Sequence, residues 1–481
     1  MEGGIGGDQD RHVRLAFDEA RNFVGLGHAD ASCVTFEGAD PVVPSRHRLG
    51  AASAAAIAAQ ALGIIEIWKT RTGREQRACV DVRNAAYPGL CTFLHIRQNG
   101  HPLPFTRWDG QGPNFFATKD DRRFYLLYTA NYVQHCLDVH RFLGATTGHE
   151  SVANAVAKWN SDELEQALAE ARLFGCIART QEEWRLHPQG RLLAARPPVL
   201  VTRINDAEPV PFAPGADRPL SGLRVVDMAH VLAGPITSRV LAEQGASVLH
   251  VSAPHQPDGH LIDVDTGFGK RTAFIDLDLP SDVERLRALI RDADVFIQSW
   301  RPGALARRGF SPSEVADLCP GVVYVSLSCY GDEGPWADRG GYEPLGQAVS
   351  GLAIDEGSPE EPRLAPTFTL NDYLTAYLAA AGVVAALLRR SKEGGSYHVS
   401  TSLTQSSMWV QSLGRLPQEM WPEGRLGIRD LPSVPESAFQ ETDSVFGVLR
   451  HPRPLVQYSE TIAYWARPPM PMGASKPVWF D

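Results

Sequence analysis

Leu223-Arg-Val-Val-Asp-Met228, the turn Ala229-His-Val-Leu-Ala-Gly-Pro235, a run from Ile236 to Gln244, Gly245, and Ser247-Val-Leu-His-Val251 follow one another without a break. The order is apolar strand, turn with Gly234 and Pro235, helix closed by a glycine, second strand. The pattern continues downstream. Ser281 to Arg291 reads as a helix with Ser and Asp at its start, and Val295 to Ser299 and Gly321 to Ser328 read as strands. Strands alternating with helices imply a parallel sheet with a ligand crevice at its carboxyl edge. The turn after the first strand lacks the Gly-x-Gly-x-x-Gly spacing, and no Gly-Lys-Ser/Thr loop is present, which speaks against a nicotinamide, flavin or P-loop nucleotide site.

With 481 residues, 43% of them hydrophobic, the chain has material for two or three domains with real cores. A formal charge of -10 argues against nucleic acid or an anionic membrane surface as partner, so a small anionic ligand would need a local basic pocket. The seven cysteines include no Cys-x-x-Cys pair and point to neither zinc nor a disulfide framework; a reducing cytoplasm is the expected location. The N-terminus lacks a basic and apolar signal pattern, and the apolar runs Ala51 to Ile65 and Ala379 to Leu388 fall short of the about 20 residues that span a bilayer, so a soluble protein is expected. The clearest boundary is Asp206 to Pro219, where four prolines punctuate a segment with no apolar period.

The stretch Thr369-Leu-Asn-Asp-Tyr-Leu-Thr-Ala-Tyr-Leu-Ala-Ala-Ala-Gly-Val-Val-Ala-Ala-Leu-Leu388 is a helix almost free of charge with Asp372 at its head. Two readings of that carboxylate stand side by side. Thr369 with Asp372 three residues later is a capping-box-like pair. Alternatively, the carboxylate is a nucleophile placed where helix amides stabilise developing negative charge.

From Leu220 to about Trp409 the chain resembles the large domain of the family III CoA-transferases, which include formyl-CoA and carnitine CoA-transferases and the α-methylacyl-CoA racemases. Leu220-Ser-Gly-Leu-Arg-Val-Val-Asp227, His230-Val-Leu-Ala-Gly-Pro235, Gly245-Ala-Ser-Val-Leu249, Lys270-Arg271 before Asp276-Leu277, Trp300-Arg-Pro-Gly303, Gly331-Asp-Glu-Gly-Pro335, Gly341-Tyr-Glu-Pro344 and the Asp372 helix carry it, in the family's order. The resemblance implies an α/β fold: a Rossmann-like parallel-sheet large domain plus a smaller α+β domain, joined by long linkers. It implies Asp372 as the nucleophile, carrying CoA as an aspartyl thioester between acids. It also implies Lys270, Arg271, Arg301 and Arg339 for the CoA phosphates, and His230, Val231, Ala233 and Gly234 along the bound ligand. No tightly bound cofactor is expected; the CoA thioester and a carboxylic acid are the substrates, and a homodimer is a further expectation.

Ala51 to Ala86 repeats the pattern of Asp372 to Ser406: small-residue helix, basic turn, short strand. The copy has no acid at its head, so one active site per chain is expected. Residues 99–200 resemble the family's small domain, with Trp108-Asp-Gly110, a strand from Arg123, and helices near Ser161 and Thr180, the latter opened by a Thr180–Glu183 capping box. The expected organisation is an N-terminal segment 1–47, the degenerate repeat 48–98, the small domain 99–200, a linker 201–219, the large domain 220–412, and a segment 413–481 returning to the large domain. This order departs from the family, in which the large domain comes first, and reads as the remnant of a fused duplication. Ser252 and Ser299-Trp300 also depart from the family's usual residues, and its Gly-rich loop is not evident, which leaves substrate identity open. Two other functions stay open. A racemase would use a His-Asp pair where this chain has Tyr342-Glu343, and a degenerate member would bind CoA without catalysis.

Overall fold

The computed structural model describes residues 5–103, 114–128, 133–256, 258–367, 369–422 and 434–479; Trp108-Asp-Gly110 lies outside them. The largest sheet has seven strands: β1 Val199–Asn205, β2 Arg224–Asp227, β3 Ser247–Ser252, β4 Lys270–Phe274, β5 Val295–Gln298, β6 Val323–Ser328 and β7 Ser396–Ser402. Their spatial order is β4-β3-β2-β5-β6-β7-β1. β2 to β7 are parallel and in doubly wound order, and β1 closes one edge antiparallel to β7. The parallel strands read as apolar runs because helices cover both faces. β1 corrects the expected boundary: the segment from 201 is an edge strand of the large sheet as far as Asn205, and the linker begins after it.

Three long elements build the core behind this sheet. α1 spans Leu49–Thr72, α2 Ala233–Glu243 and α3 Leu370–Glu393. α1 and α3 pack side by side, and a Cβ on Gly63 would sit 2.5 Å from a methyl of Val384, so glycine permits the approach. Both helices have 24 residues, enough to cross a bilayer, so the expectation that these apolar stretches are too short is corrected. Their apolar composition has another cause, since almost every residue of each is buried against protein.

α1 and α3 also share their surroundings. Val34–Glu37 runs parallel to Ala78–Asp81, the strand after α1, as β6 runs parallel to β7 after α3. Val456–Tyr458 then lies antiparallel to Ala78–Asp81, as β1 does to β7. The C-terminal segment therefore returns first to the repeat, and only its last part lies on the large sheet, where Ser475 N–H donates to Thr272 O at 2.8 Å. Between them, Phe115–Ala117, Arg123–Leu126 and Gly175–Ile177 form an antiparallel sheet with its own small core, covered by helices including Val133–Leu143 and Ser161–Glu170. The Thr180–Glu183 capping box is formed in both halves.

Candidate active site

In a doubly wound sheet the crevice opens where the chain turns opposite ways from two neighbouring strands, here β2 and β5. The loops leaving these strands are tied together. Trp300 Nε1 donates to Met228 O at 2.8 Å and His230 N–H donates to Ser299 Oγ at 2.9 Å. Val231 holds φ 62, a left-handed conformation that a β-branched residue rarely adopts. Its amide donates to Asp258 Oδ2 at 2.9 Å, which fixes the strained loop in place. α2 starts two residues later. A Cβ on Gly234 would fall 2.2 Å from Ala229 Cβ, so that residue belongs to the loop's packing and not to the crevice wall.

The start of α3 lies beside the start of α2. Thr237 Oγ1 reaches Ala376 O at 3.4 Å, and one turn nearer the crevice on each helix stand Ala233 and Asp372. Two helix N-termini, each a positive dipole end, thus converge on one carboxyl group. The capping-box reading of Thr369 and Asp372 is corrected here. Thr369 makes no side-chain cap bond, because its hydroxyl donates instead to Leu90 O at 3.1 Å. Asp372 is 8% exposed and burial pushes its pKa up to about 7.

Behind Asp372 stands a second carboxyl group. Glu343 Oε1 accepts from Asn371 N–H at 2.9 Å and from Gln347 Nε2 at 2.6 Å, while Oε2 is buried with no partner among the described residues. An oxygen with two donors beside an oxygen with none is the pattern of a neutral acid with its proton on Oε2. Burial, then the neighbouring Asp372 charge, push the Glu343 pKa well above the carboxylate range, in agreement.

Asp372 opens on a cavity of about 1100 Å³ between the carboxyl edge of the sheet and the small domain. Arg301 and Arg339 line it and are joined by Arg141, Arg172 and Arg307. Arg301 lies 4.8 Å over the Phe174 ring and donates to Arg172 O at 2.8 Å, so its guanidinium is held by the small domain. Arg339 lies 4.3 Å over Trp336. A planar guanidinium set of this kind suits phosphate groups. His230, Val231 and Ala233 also line the cavity. Burial depresses the His230 pKa and keeps the ring neutral, and neither ring nitrogen has a hydrogen-bond partner among the described residues.

Lys270 and Arg271 are not at this site. Lys270 is 1% exposed and its Nζ donates to Asp227 Oδ2 at 3.0 Å under the sheet, so it cannot meet a ligand. Arg271 points the other way from edge strand β4, near Arg467 and two strands from the crevice. Sequence reasoning missed Arg141, Arg172 and Arg307, and saw Glu343 only as a non-histidine. Arg307 lies six residues after Arg301 and could have been found by following that loop. The other two arrive through the docking of the small domain, which no local pattern records.

Residues 220–449 match the model of CoA-transferase family III. Among curated proteins, the chain is 39% identical over 222 residues to the acetyl-coenzyme A transferase nodX of Hypoxylon pulicicidum, covering 44% of this chain and 37% of that protein. It is 33% identical over 281 residues to an acyl-CoA transferase of Gibberella moniliformis, covering 54% and 48%. It is 34% identical over 195 residues to the formyl-CoA:oxalate CoA-transferase of Streptomyces avermitilis, covering 38% and 47%. The chain therefore spans half or less of the length of these relatives. Among solved structures, a CAIB/BAIF family protein from Brucella suis is 26% identical, covers 40% of this chain and 55% of its own, and superposes with a TM-score of 0.37.

Proposed function

We propose that this chain, which belongs to the CoA-transferase family III through residues 220–449, moves coenzyme A from an acyl thioester to a free carboxylic acid through Asp372. The observation that carries the reading is the placement of one buried carboxyl group at two converging helix N-termini, on the floor of a cavity lined by five arginines. The Asp372 carboxylate attacks the thioester carbonyl, and the C–S bond breaks to give a mixed anhydride and CoA thiolate. The thiolate attacks the Asp372 carbonyl, releasing the donor acid as its carboxylate and leaving an aspartyl-CoA thioester. The acceptor carboxylate attacks that thioester and the same two steps run in reverse. No water enters the balance.

Each tetrahedral intermediate places negative charge at the start of α3, where the positive end of the helix stabilises it and the neutral Glu343 behind Asn371 adds no opposing charge. The arginines take the CoA phosphates. Because the nucleophile must be ionised, the rate of the first attack rises with pH through about 7.

The test is trapping. The protein is incubated with acyl-CoA thioesters and hydroxylamine, and the peptide spanning Asp372 is analysed by mass spectrometry. Thioester-dependent hydroxamate on Asp372 is the expected result; CoA binding with an unmodified peptide refutes the covalent route. One observation favours a second reading, α-proton exchange: the His230 ring, whose nitrogens have no hydrogen-bond partner among the described residues, faces the same cavity as Asp372. Deuterium wash-in at the α-carbon of an acyl-CoA, with no acceptor acid present, would select it.

A further inference from the structure

We infer that the acyl groups handled at Asp372 are apolar and uncharged, so that the acids exchanging CoA are monocarboxylates and not dicarboxylates. This rests on the transferase reading above and names its substrate class.

The cavity is polarised. Its five arginines come from the small domain and from the loops around Arg301 and Arg339. Its floor at Asp372 is built from different residues: Ala233 at the start of α2, Cys329 at the end of β6, and Leu403 at the end of β7, flanked by Leu232 and Leu327. Cys329 O accepts from the Thr404 hydroxyl at 2.7 Å, which locks these two strand ends together beneath the nucleophile. The Cys329 thiol is buried and neutral, with burial pushing its pKa far up. Ser328 and Tyr342, both uncharged, also line the cavity here, and the Glu343 acid lies behind Asn371 outside the lining. Among the described residues no cation belongs to this floor, and the raised pKa of Asp372 traces to burial alone, with no guanidinium to offset it.

A thioester has CoA on one side of its carbonyl and the acyl chain on the other. With the phosphates on the arginines and the carbonyl at Asp372, the acyl chain points away from the arginines, into the floor. A second carboxylate on that chain would lose much of its water among Ala, Leu and Cys side chains, close to the Asp372 carboxyl group and with no cation there to pair it. An alkyl chain fills the same space at no such cost. A small apolar floor also selects weakly among alkyl groups, since one methylene is worth only about 10- to 200-fold, whereas an unpaired charge discriminates more sharply.

Matched thioesters separate the two classes at constant chain length: butyryl-CoA against succinyl-CoA, and pentanoyl-CoA against glutaryl-CoA. Hydroxamate formation on Asp372 and kcat/KM for transfer to labelled acetate are read for each. The expected result is a preference of about a hundredfold for the monocarboxylic member of both pairs. A dicarboxylic member within threefold of its partner overturns the inference while leaving the transferase reading intact. If no thioester modifies Asp372, the transferase reading itself falls. The floor remains testable in that case by calorimetry on Asp372→Ala, where succinyl-CoA binding as tightly as butyryl-CoA overturns the inference.

Discussion

Replacing Asp372 by Asn should abolish transfer and at the same time make the protein more stable, in a way that depends on pH. Burial raises this carboxyl from 3.8 to about 7, so the folded state holds its proton more tightly than the unfolded state does. The sign follows. Stability is unpenalised below 3.8 and is lost as pH rises through about 7, at about 1.4 kcal/mol per pH decade. Over roughly three decades that is an upper bound of about 4 kcal/mol, and about 2 kcal/mol is a sober expectation once the site relaxes around the charge. An amide of the same shape carries no such penalty. Thermal unfolding followed at pH 5.5 and pH 8.5 should show the variant gaining on the parent by a few degrees at the higher pH, with a smaller gain at the lower. A variant less stable than the parent by the same margin at both pH values would refute the reasoning. It would mean that Asp372 caps its helix and that the carboxylate is a structural asset.

Three further outcomes are expected. Glu343→Gln exchanges a neutral acid for a neutral amide and should keep the transfer rate within about threefold and the pH midpoint unchanged, while Glu343→Leu should lose at least tenfold; a Gln variant whose midpoint drops would show that Glu343 is ionised. Arg301→Ala should raise KM for the thioester about tenfold with kcat little altered, whereas Lys270→Met should leave KM alone and lower the melting temperature, because one residue lines the cavity and the other is paired with Asp227 in the core. Burial opposes protonation of His47, but Asp355 and Glu356 clamp the ring and raise its pKa; the stabilisation is fully present below the unfolded value of about 6.5 and lost as pH rises through the folded value. His47→Asn should therefore cost about 2 kcal/mol at pH 6 and less at pH 9, measured by denaturant unfolding; an equal cost at both would assign His47 a packing role only.

The alternating strands were legible because a parallel sheet covered on both faces needs apolar runs, and Val225, Val248, Val295 and Val323 supply them. What failed had a common cause, in that neighbours in sequence were given a common environment. Lys270 and Arg271 are adjacent, but consecutive residues of a strand face opposite sides, and Asp227 waits on one of them. Thr369 and Asp372 have the spacing of a cap, but Leu90 of the repeat takes the hydroxyl first. Residues 201–205 precede the prolines and read with them, although the strand they belong to pairs with β7, nearly two hundred residues away. Arg141 and Arg172 reach the cavity only because the small domain closes over it, a long-range contact with no local signature.

The two repeats differ in how a buried carboxyl group meets each helix start. α1 begins Leu49-Gly-Ala and α3 begins Leu370-Asn-Asp, so Gly50 stands where Asn371 does and Ala51 where Asp372 does. Each helix start is met by a carboxyl group from elsewhere in the chain. On α1 it is Asp40, whose Oδ1 accepts from Gly50 N–H and whose Oδ2 accepts from Ala51 N–H, both at 2.8 Å. Both oxygens are used up on the helix, which is what stability alone asks of a buried acid. On α3 it is Glu343, whose Oε1 takes the Asn371 N–H and whose Oε2 is left without a partner among the described residues. A buried oxygen without a partner is costly, and the copy at α1 shows that this fold can avoid the cost at the same place. The unpaired oxygen stands at the helix that carries Asp372, and burial together with the Asp372 charge keeps its proton in place, so the cost is borne where a second acid is held neutral behind the first.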